Sequence, residues 1–83
     1  MRIRSARELA LAVASRRKKL GLSQAGAGNL VGVLQKTVSA FETKPEGTKL
    51  DTLFHLLSAV QLELQVIPKE EKGKIESKWS EEW

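Results

Sequence analysis

Apolar residues recur at helical spacing through most of the chain and at alternate positions near its end. Between Ala6 and Leu20 they lie three and four residues apart, which is typical of an amphipathic helix. Ser5 and Glu8 have the spacing of a capping box, and Gly21 is the residue type that commonly ends a helix. We therefore predict a first helix from Ala6 to about Leu20. Its predicted inner face consists of Ala6, Leu9, Ala10, Val13 and Ala14.

Two short helices are predicted within residues 22–42, joined at Gly32. Ser23 is the predicted cap of the first, because its hydroxyl can accept a hydrogen bond from unpaired backbone N–H groups. Gly32 can adopt the left-handed conformation that ends a helix and redirects the chain. In the second short helix Val38 and Phe41 share an inner face. The face predicted to point away from the core contains Gln35, Lys36, Ser39 and Ala40.

A further helix is predicted from Lys49 to about Val60, with Thr48 as its N-cap. Leu56 lies off the predicted inner stripe, which leaves it for a contact with another chain. His55 has no neighbouring cysteine or carboxylate partner, so we assign it neither metal binding nor catalysis. The predicted inner stripe contains Leu50, Leu53, Phe54, Leu57 and Val60.

The periodicity changes to two in residues 61–68. Leu62, Leu64 and Val66 alternate with polar residues, which is the pattern of a strand with one buried face. The sequence predicts no second strand, and an isolated strand lacks a ladder partner. The expected partner is the same strand of a second copy, so we predict that Leu62, Leu64 and Val66 form the interface of a homodimer.

Charge is distributed unevenly along the chain. The formal net charge is +4, but residues 1–60 carry 10 Lys and Arg against 4 Asp and Glu, whereas residues 61–83 carry 4 against 6. The basic part favours a polyanionic partner. Arg16, Lys18 and Lys19 end the first helix and are candidate phosphate contacts. The alternative is a solvated helix end, where cations also interact favourably with the helix dipole.

The outward face of the second short helix suits base recognition in DNA. An amide, an ammonium group and hydroxyls near a helix N-terminus, held by a partner helix, are typical of a helix-turn-helix. The stretch resembles the helix-turn-helix of the Cro/CI-type repressor family. The matching residues are Leu22-Ser23-Gln24, Val31-Gly32-Val33, Gln35, Thr37-Val38-Ser39 and Phe41-Glu42. The family usually has alanine where this chain has Gly28, and Gly26 and Gly28 together are expected to cost their helix about 2 kcal/mol relative to alanines.

Candidate DNA contacts follow from this resemblance. Glutamine can pair with an adenine edge and lysine with guanine acceptors, whereas short hydroxyls suit a phosphate or a base edge. The predicted base contacts are Gln35, Lys36, Ser39 and Ala40. The predicted phosphate contacts are Gln24, Thr37, Arg16, Lys18 and Lys19. For Gln24, a local hydrogen bond that reinforces the helix start is the alternative.

We predict a helix-turn-helix and dimerisation domain in residues 1–68. The charged tail, residues 69–83, is expected to be flexible. Ile75, Trp79 and Trp83 lie four residues apart, so a helix induced by a partner would align them on one face. Large exposed aromatic residues often mark binding sites. We therefore favour docking to a partner over loose packing on the parent domain.

The order of elements narrows the resemblance to one family. A Cro/CI-type helix-turn-helix followed by Leu-Glu-Leu-Gln-Val and a charged tail that ends in tryptophan resembles HipB-type antitoxins over essentially the whole chain. The resemblance implies an all-α, lambda-repressor-like fold of four to five helices, with one short C-terminal β-strand that pairs across a homodimer. It also implies an autorepressor that binds palindromic operator DNA and a HipA-type serine/threonine kinase toxin. Ile75, Trp79 and Trp83 are then the predicted toxin-binding residues.

Other functions remain open at this point. A stand-alone phage-type repressor and a protein-interaction module that uses the strand and tail both fit the pattern. An enzyme is the least expected class, because the chain has no cysteine, one histidine and no phosphate-cradling glycine motif. We expect no cofactor. No segment has the length and hydropathy of a signal peptide or membrane span, so a cytoplasmic protein without a membrane partner is expected.

Overall fold

Four α-helices and one turn of 3-10 helix make up the regular structure of residues 2–69, the part of the chain that the computed structural model describes. The helices are α1 (Ala6–Lys19), α2 (Gln24–Val31), α3 (Gln35–Thr43) and α4 (Leu50–Ala59). The 3-10 turn, Pro45–Gly47, connects α3 to α4. The predicted helical architecture is confirmed. No helix within residues 2–69 is long and apolar enough to cross a membrane.

Serine side chains cap the first two helices as predicted. The Ser5 hydroxyl accepts a hydrogen bond from the Glu8 N–H at 3.1 Å, and the Ser23 hydroxyl accepts one from the Gly26 N–H at 2.8 Å. These bonds satisfy backbone donors that have no partner inside the helix.

The predicted N-cap of α4 is wrong. This helix begins at Leu50, so its N-cap residue is Lys49, whose side chain makes no capping hydrogen bond. Thr48 lies one residue further out, in extended backbone. Its hydroxyl is therefore one position too early to cap the first turn.

Three helices end in the same type of turn. A residue with positive φ follows the helix, and the next N–H donates to the carbonyl five residues earlier, which is the Schellman arrangement. The positive-φ residues are Gly21 at 75°, Gly32 at 72° and Gln61 at 59°. The closing bonds are Leu22 to Arg17 at 3.1 Å, Val33 to Gly28 at 2.9 Å and Leu62 to Leu57 at 2.9 Å. Gln61 is the one turn residue of the three that carries a side chain.

The core lies where α1, α3 and α4 meet. Its buried apolar residues are Ala10, Val13, Val38, Phe41, Leu56, Leu57 and Val60. Leu9, Val33, Leu53 and Leu62 are partly buried and pack against this cluster. The inner face predicted for α1 is wrong at Ala6, which lies in the first turn and is exposed.

The inner stripe predicted for α4 is wrong at two residues. Leu50 and Phe54 are exposed, whereas Leu56 is only 1% exposed and belongs to the core rather than to a contact with another chain. Apolar residues occur in adjacent pairs along this helix, so periodicity allows two faces about 100° apart. Packing against α2 and the shared core selects the face that contains both Leu56 and Leu57.

The chain beyond α4 is extended but forms no strand within residues 62–69. Leu62 is half-buried, Leu64 is 46% exposed and Val66 is 90% exposed. A strand is defined by the hydrogen-bonded ladder with its neighbour, and residues 2–69 offer no such neighbour to this segment. The predicted pairing therefore stays a prediction. The predicted toxin-binding residues of the tail, Ile75, Trp79 and Trp83, lie outside the described residues.

Candidate nucleic-acid interface

Helix α2 packs closely against the turn before α3 at Gly28. A Cβ atom at this position would collide with the carbonyl oxygen of Val33 and would lie 3.3 Å from Cγ2 of Val38. The Gly28 carbonyl also accepts the hydrogen bond from Val33 that closes the turn. Alanine does not fit here, so the penalty expected for Gly28 relative to alanine does not apply. The glycine lets α2 pack directly on the turn that precedes α3.

Helix α3 presents the predicted polar face. Val38 and Phe41 are buried and fix the rotation of the helix against the core. Opposite them, Gln35, Lys36 and Ala40 are exposed, whereas Ser39 and Thr37 are half-buried. Because Gln35 and Lys36 occupy the first turn, their side chains lie beside N–H groups that carry partial positive charge. An amide and an ammonium group are thus available for an acceptor-rich ligand.

An ion pair between Arg17 and Glu42 supports the exposed face of α3. The sequence did not lead us to predict this pair. The Arg17 guanidinium donates to both carboxylate oxygens of Glu42, Nε to Oε2 at 2.7 Å and Nη2 to Oε1 at 3.0 Å. A third donor, Nη1, binds the Leu22 carbonyl oxygen at 2.9 Å. Only 9% of the Arg17 side chain and 8% of the Glu42 side chain are exposed. The pair joins α1, the start of the helix-turn-helix and the end of α3.

The position of Arg17 in the helical period of α1 indicates that its side chain is buried and needs a partner. Arg17 lies four residues after Val13 and seven after Ala10, so it continues the inner face of α1. An arginine on an inner face requires a buried partner, because an unpaired charge inside a protein is costly. Within the run of four cations at residues 16–19, the position of Arg17 is therefore distinguishable from the other three by its place on the inner face.

The ionisation of both members of the pair is set by their contact. Burial by itself would raise the pKa of the Glu42 carboxyl, but hydrogen bonds from Arg17 and Gln24 and the positive charges of Arg17 and Lys18 lower it below its ordinary value. The hydrogen bond to Glu42 raises the pKa of the Arg17 guanidinium, although burial opposes this. The pair is ionised at neutral pH.

Two glutamine side chains connect this ion pair to the exposed face of α3. Gln24 Nε2 donates to Glu42 Oε1 at 3.0 Å, and Gln35 Nε2 donates to Gln24 Oε1 at 2.8 Å. The alternative considered for Gln24 was a local hydrogen bond at the start of its own helix, but its side chain instead bonds two residues of α3. The first side chain of α3 is held in place before any ligand binds.

The other predicted phosphate contacts lie near the end of α1. Lys18 and Lys19 are exposed there. Arg16 is half-buried, and its Nε donates to the Val60 carbonyl oxygen at 3.0 Å, so this arginine also holds the end of α4. His55 is exposed on α4. Within residues 2–69 no group of three or more His, Asp or Glu side chains could hold a metal ion.

Comparison with known proteins identifies the family. Over 63 residues the chain is 33% identical to "Antitoxin HipB" of Escherichia coli K12, a match that covers 76% of this chain and 72% of that protein. The HipB antitoxin of Escherichia coli O6:H1 matches at the same identity and length, over 67% of its own sequence. The chain belongs to the HipB antitoxin family.

Solved structures of HipB show the same fold as this HipB-family chain. The HipB chain of a "HipB-O4 20mer complex" matches with a TM-score of 0.81 and 30% identity, over 84% of this chain and 99% of that one. A "HipA-HipB-O2-O3 complex" contains a chain that matches with the same TM-score, identity and coverage. No protein-family model matches the chain.

Proposed function

We propose that this HipB-family chain is a DNA-binding antitoxin that represses its own operon and neutralises a HipA-type serine/threonine kinase toxin in the bacterial cytoplasm. The observation that carries the proposal is the exposed Gln35 and Lys36 at the start of α3, on a helix fixed by the contact with Gly28 and by the Arg17–Glu42 pair. The HipB complexes with a 20mer and with HipA support both partners. They favour an antitoxin over a stand-alone repressor or a pure protein-interaction module.

Base recognition is assigned to the exposed face of α3. Its N-terminal end enters the major groove, where Gln35 and Lys36 reach base edges and Ser39 and Ala40 follow along the helix. Thr37, Gln24, Lys18 and Lys19 lie around this face and contact phosphates, which position the domain without reading sequence. The terminal nitrogens of Arg16 also contact DNA phosphates, while its Nε keeps its hydrogen bond to the Val60 carbonyl oxygen.

A second copy completes the DNA-binding unit. Residues 62–66 pair with the same segment of the second copy, which covers Leu64 and Val66 and gives the extended backbone a ladder partner. The exposure of these apolar side chains supports this pairing. A two-fold dimer places its α3 helices in successive major grooves, so the operator is a palindrome.

The tail, residues 69–83, is assigned to the toxin. Ile75, Trp79 and Trp83 share one face when the tail folds as a helix on the kinase surface. Their spacing and the clustering of aromatic residues in an otherwise charged segment support this assignment. The DNA-binding and dimerisation domain, residues 1–68, remains accessible to the operator in such a complex.

A binding titration tests the DNA-binding function. Fluorescence anisotropy would compare a duplex from upstream of the chain's own operon with a scrambled duplex of equal composition, between about 50 and 200 mM salt. We expect the upstream duplex to bind about 10³-fold or more tightly than the scrambled one, with affinity falling linearly on a log–log plot against salt. Equal affinity for the two duplexes would rule out an operator-specific repressor.

A co-purification tests the antitoxin function. The purified HipA-type kinase of the same operon would be captured with the full chain and with a version that ends at Lys69. We expect the full chain to retain the kinase and the shortened version to lose most of it, because its three anchors are removed. Equal retention by both would exclude the tail as the docking segment, and no retention by either would exclude this kinase as the partner.

A further inference from the structure

Four side chains form a continuous hydrogen-bonded series from α1 to the start of α3. Arg17 donates to Glu42, Gln24 donates to Glu42 at 3.0 Å, and Gln35 donates to Gln24 at 2.8 Å. The series begins at the buried Arg17–Glu42 ion pair and ends at the Gln35 amide on the exposed face of α3. Each glutamine directs its NH2 group toward the ion pair, and the carbonyl oxygen of Gln24 accepts the bond from Gln35.

The ionised Glu42 explains this common direction. A carboxylate only accepts hydrogen bonds, so Gln24 must turn its NH2 group toward it. The Gln24 carbonyl oxygen then faces Gln35 and accepts only, which requires Gln35 to donate in turn. Because Arg17 keeps Glu42 ionised and fixed, neither amide can rotate by 180° without placing two acceptors against each other.

The orientation determines what Gln35 can offer to a base. One of its N–H groups is used by Gln24, which leaves one N–H donor and the carbonyl oxygen. Adenine presents an acceptor, N7, and a donor, the N6 amino group, to the major groove, so it matches both remaining groups. Guanine presents two acceptors, N7 and O6, and its O6 would face the Gln35 carbonyl oxygen.

We propose that Glu42 is a positioning residue for base selection, which orients the Gln24 and Gln35 amides so that Gln35 selects adenine over guanine. The inference rests on the proposed DNA-binding function. It assigns specificity at one base position to a buried residue that touches no base. Removal of the carboxylate frees both amides to rotate, after which Gln35 can direct two N–H groups at guanine.

The test measures base discrimination in two variants that interrupt the series at different points. Glu42→Gln replaces the acceptor-only group by an amide that fits either orientation, and Gln24→Ala removes the link while leaving the Arg17–Glu42 pair intact. The probe is the duplex that the full wild-type chain selects from a random pool. The relevant position is the one at which Gln35→Ala abolishes the base preference. The readout is the ratio of the dissociation constants for guanine and adenine at that position.

We expect the wild-type chain to prefer adenine by about 5- to 150-fold, the range that one bidentate base contact provides. In Glu42→Gln and in Gln24→Ala the ratio should fall clearly below the wild-type ratio, because Gln35 can then also turn its NH2 group toward guanine. Leu56→Ala serves as the matched control, because Leu56 is a fully buried core residue on α4 outside this series. Its ratio should equal the wild-type ratio at a temperature at which all variants are folded by circular dichroism.

Several outcomes contradict the inference separately from the proposed function. An unchanged ratio in Gln24→Ala overturns it even if Glu42→Gln fails to fold. An equal loss of discrimination in Leu56→Ala shows general loosening of the fold and also overturns it, as does a wild-type preference for a base other than adenine. Failure of the wild-type chain to select any duplex overturns the DNA-binding function itself.

Discussion

At Gly28 the absence of one methyl group decides how closely α2 approaches the turn before α3. Helix propensity alone predicts that Gly28→Ala stabilises the protein by about 1 kcal/mol. The Val33 carbonyl oxygen occupies the space that a Cβ atom needs, so we expect a loss of about 1–3 kcal/mol instead. Urea denaturation of the wild-type chain and the variant measures the difference.

Gly26→Ala is the matched control for this prediction. A Cβ atom there would lie 3.1 Å from the Ser23 hydroxyl oxygen, which is part of a side chain and can shift. We expect this variant to be more stable than Gly28→Ala by at least about 1 kcal/mol. Equal stability of the two variants would show that the close approach at Gly28 does not affect the free energy of unfolding.

Lys36 is the exposed cation nearest to the start of α3, and we expect it to contact a base. Lys36→Ala should lose about 1–3 kcal/mol of binding to the operator and relax discrimination at one base position. Lys19→Ala should instead weaken binding to all duplexes alike and reduce the salt slope by about one. Anisotropy titrations with single-base variants of the operator distinguish the two patterns. Uniform weakening by Lys36→Ala would make this lysine a phosphate contact.

Because the pKa of Glu42 is lowered in the folded state, the free energy of unfolding depends on pH in the acidic range. Because the folded state holds this carboxyl ionised, the pair stabilises the fold above the ordinary pKa of 4.5, and the stabilisation is lost as the pH falls through the lower pKa of the folded state. The wild-type chain should therefore exceed Glu42→Gln in stability at pH 7, and the difference should narrow below pH 4.5. Urea midpoints measured across this range test the expectation. A difference that does not change with pH would contradict it.

At the scale of single elements, the caps and ends of α1 and α2 were predictable, whereas the N-cap and the rotation of α4 were not. Ser5, Ser23, Gly21 and Gly32 act through hydrogen bonds and backbone angles within a few residues, so the sequence reveals them directly. The inner face of α4 depends on packing against α2 and the shared core, whose residues are distant in sequence. Periodicity alone could not choose between the adjacent apolar pairs of this helix.

The junction between α4 and the extended segment stores strain at Gln61. This residue has a φ of 59°, a region in which a side chain costs about 1–2 kcal/mol and glycine costs little. Gln61→Gly should raise the free energy of unfolding by about 0.5–1 kcal/mol after the greater flexibility of the unfolded chain is subtracted. Gln65→Gly, within the extended segment, should give no gain. A loss of stability in Gln61→Gly would show that its side chain makes a compensating contact.

At the scale of the whole molecule, the sequence predicted the exposed face of α3, to which we assign base recognition, but not the contacts that support it. Gln35 and Lys36 were placed on an exposed face because local periodicity defines that face. The series that orients Gln35 joins Arg17, Gln24, Gln35 and Glu42, which lie on three helices. Such a contact depends on tertiary packing, and the inward position of Arg17 on α1 was its one sequence signal.

In the proposed function, operator binding depends on the formation of a dimer. Leu64→Asp places a charge on the apolar face proposed to pair between copies, which should dissociate the dimer and abolish operator binding. Glu63→Lys changes charge at the adjacent residue, on the opposite face of a strand, and should leave the dimer intact. Sedimentation velocity distinguishes the two variants. A Leu64→Asp variant that remains dimeric would show that residues 62–66 are not the interface.

The measurement that tests the central claim most directly is a hydroxyl-radical footprint of the full chain on DNA from upstream of its own operon. A dimer that reads DNA with α3 should protect two palindromic half-sites whose centres lie about 34–36 Å apart, or a multiple of this distance. Gln35→Ala should weaken both half-sites equally. Uniform protection along the fragment, or a single unrepeated site, would contradict a two-fold repressor that reads its operator through α3.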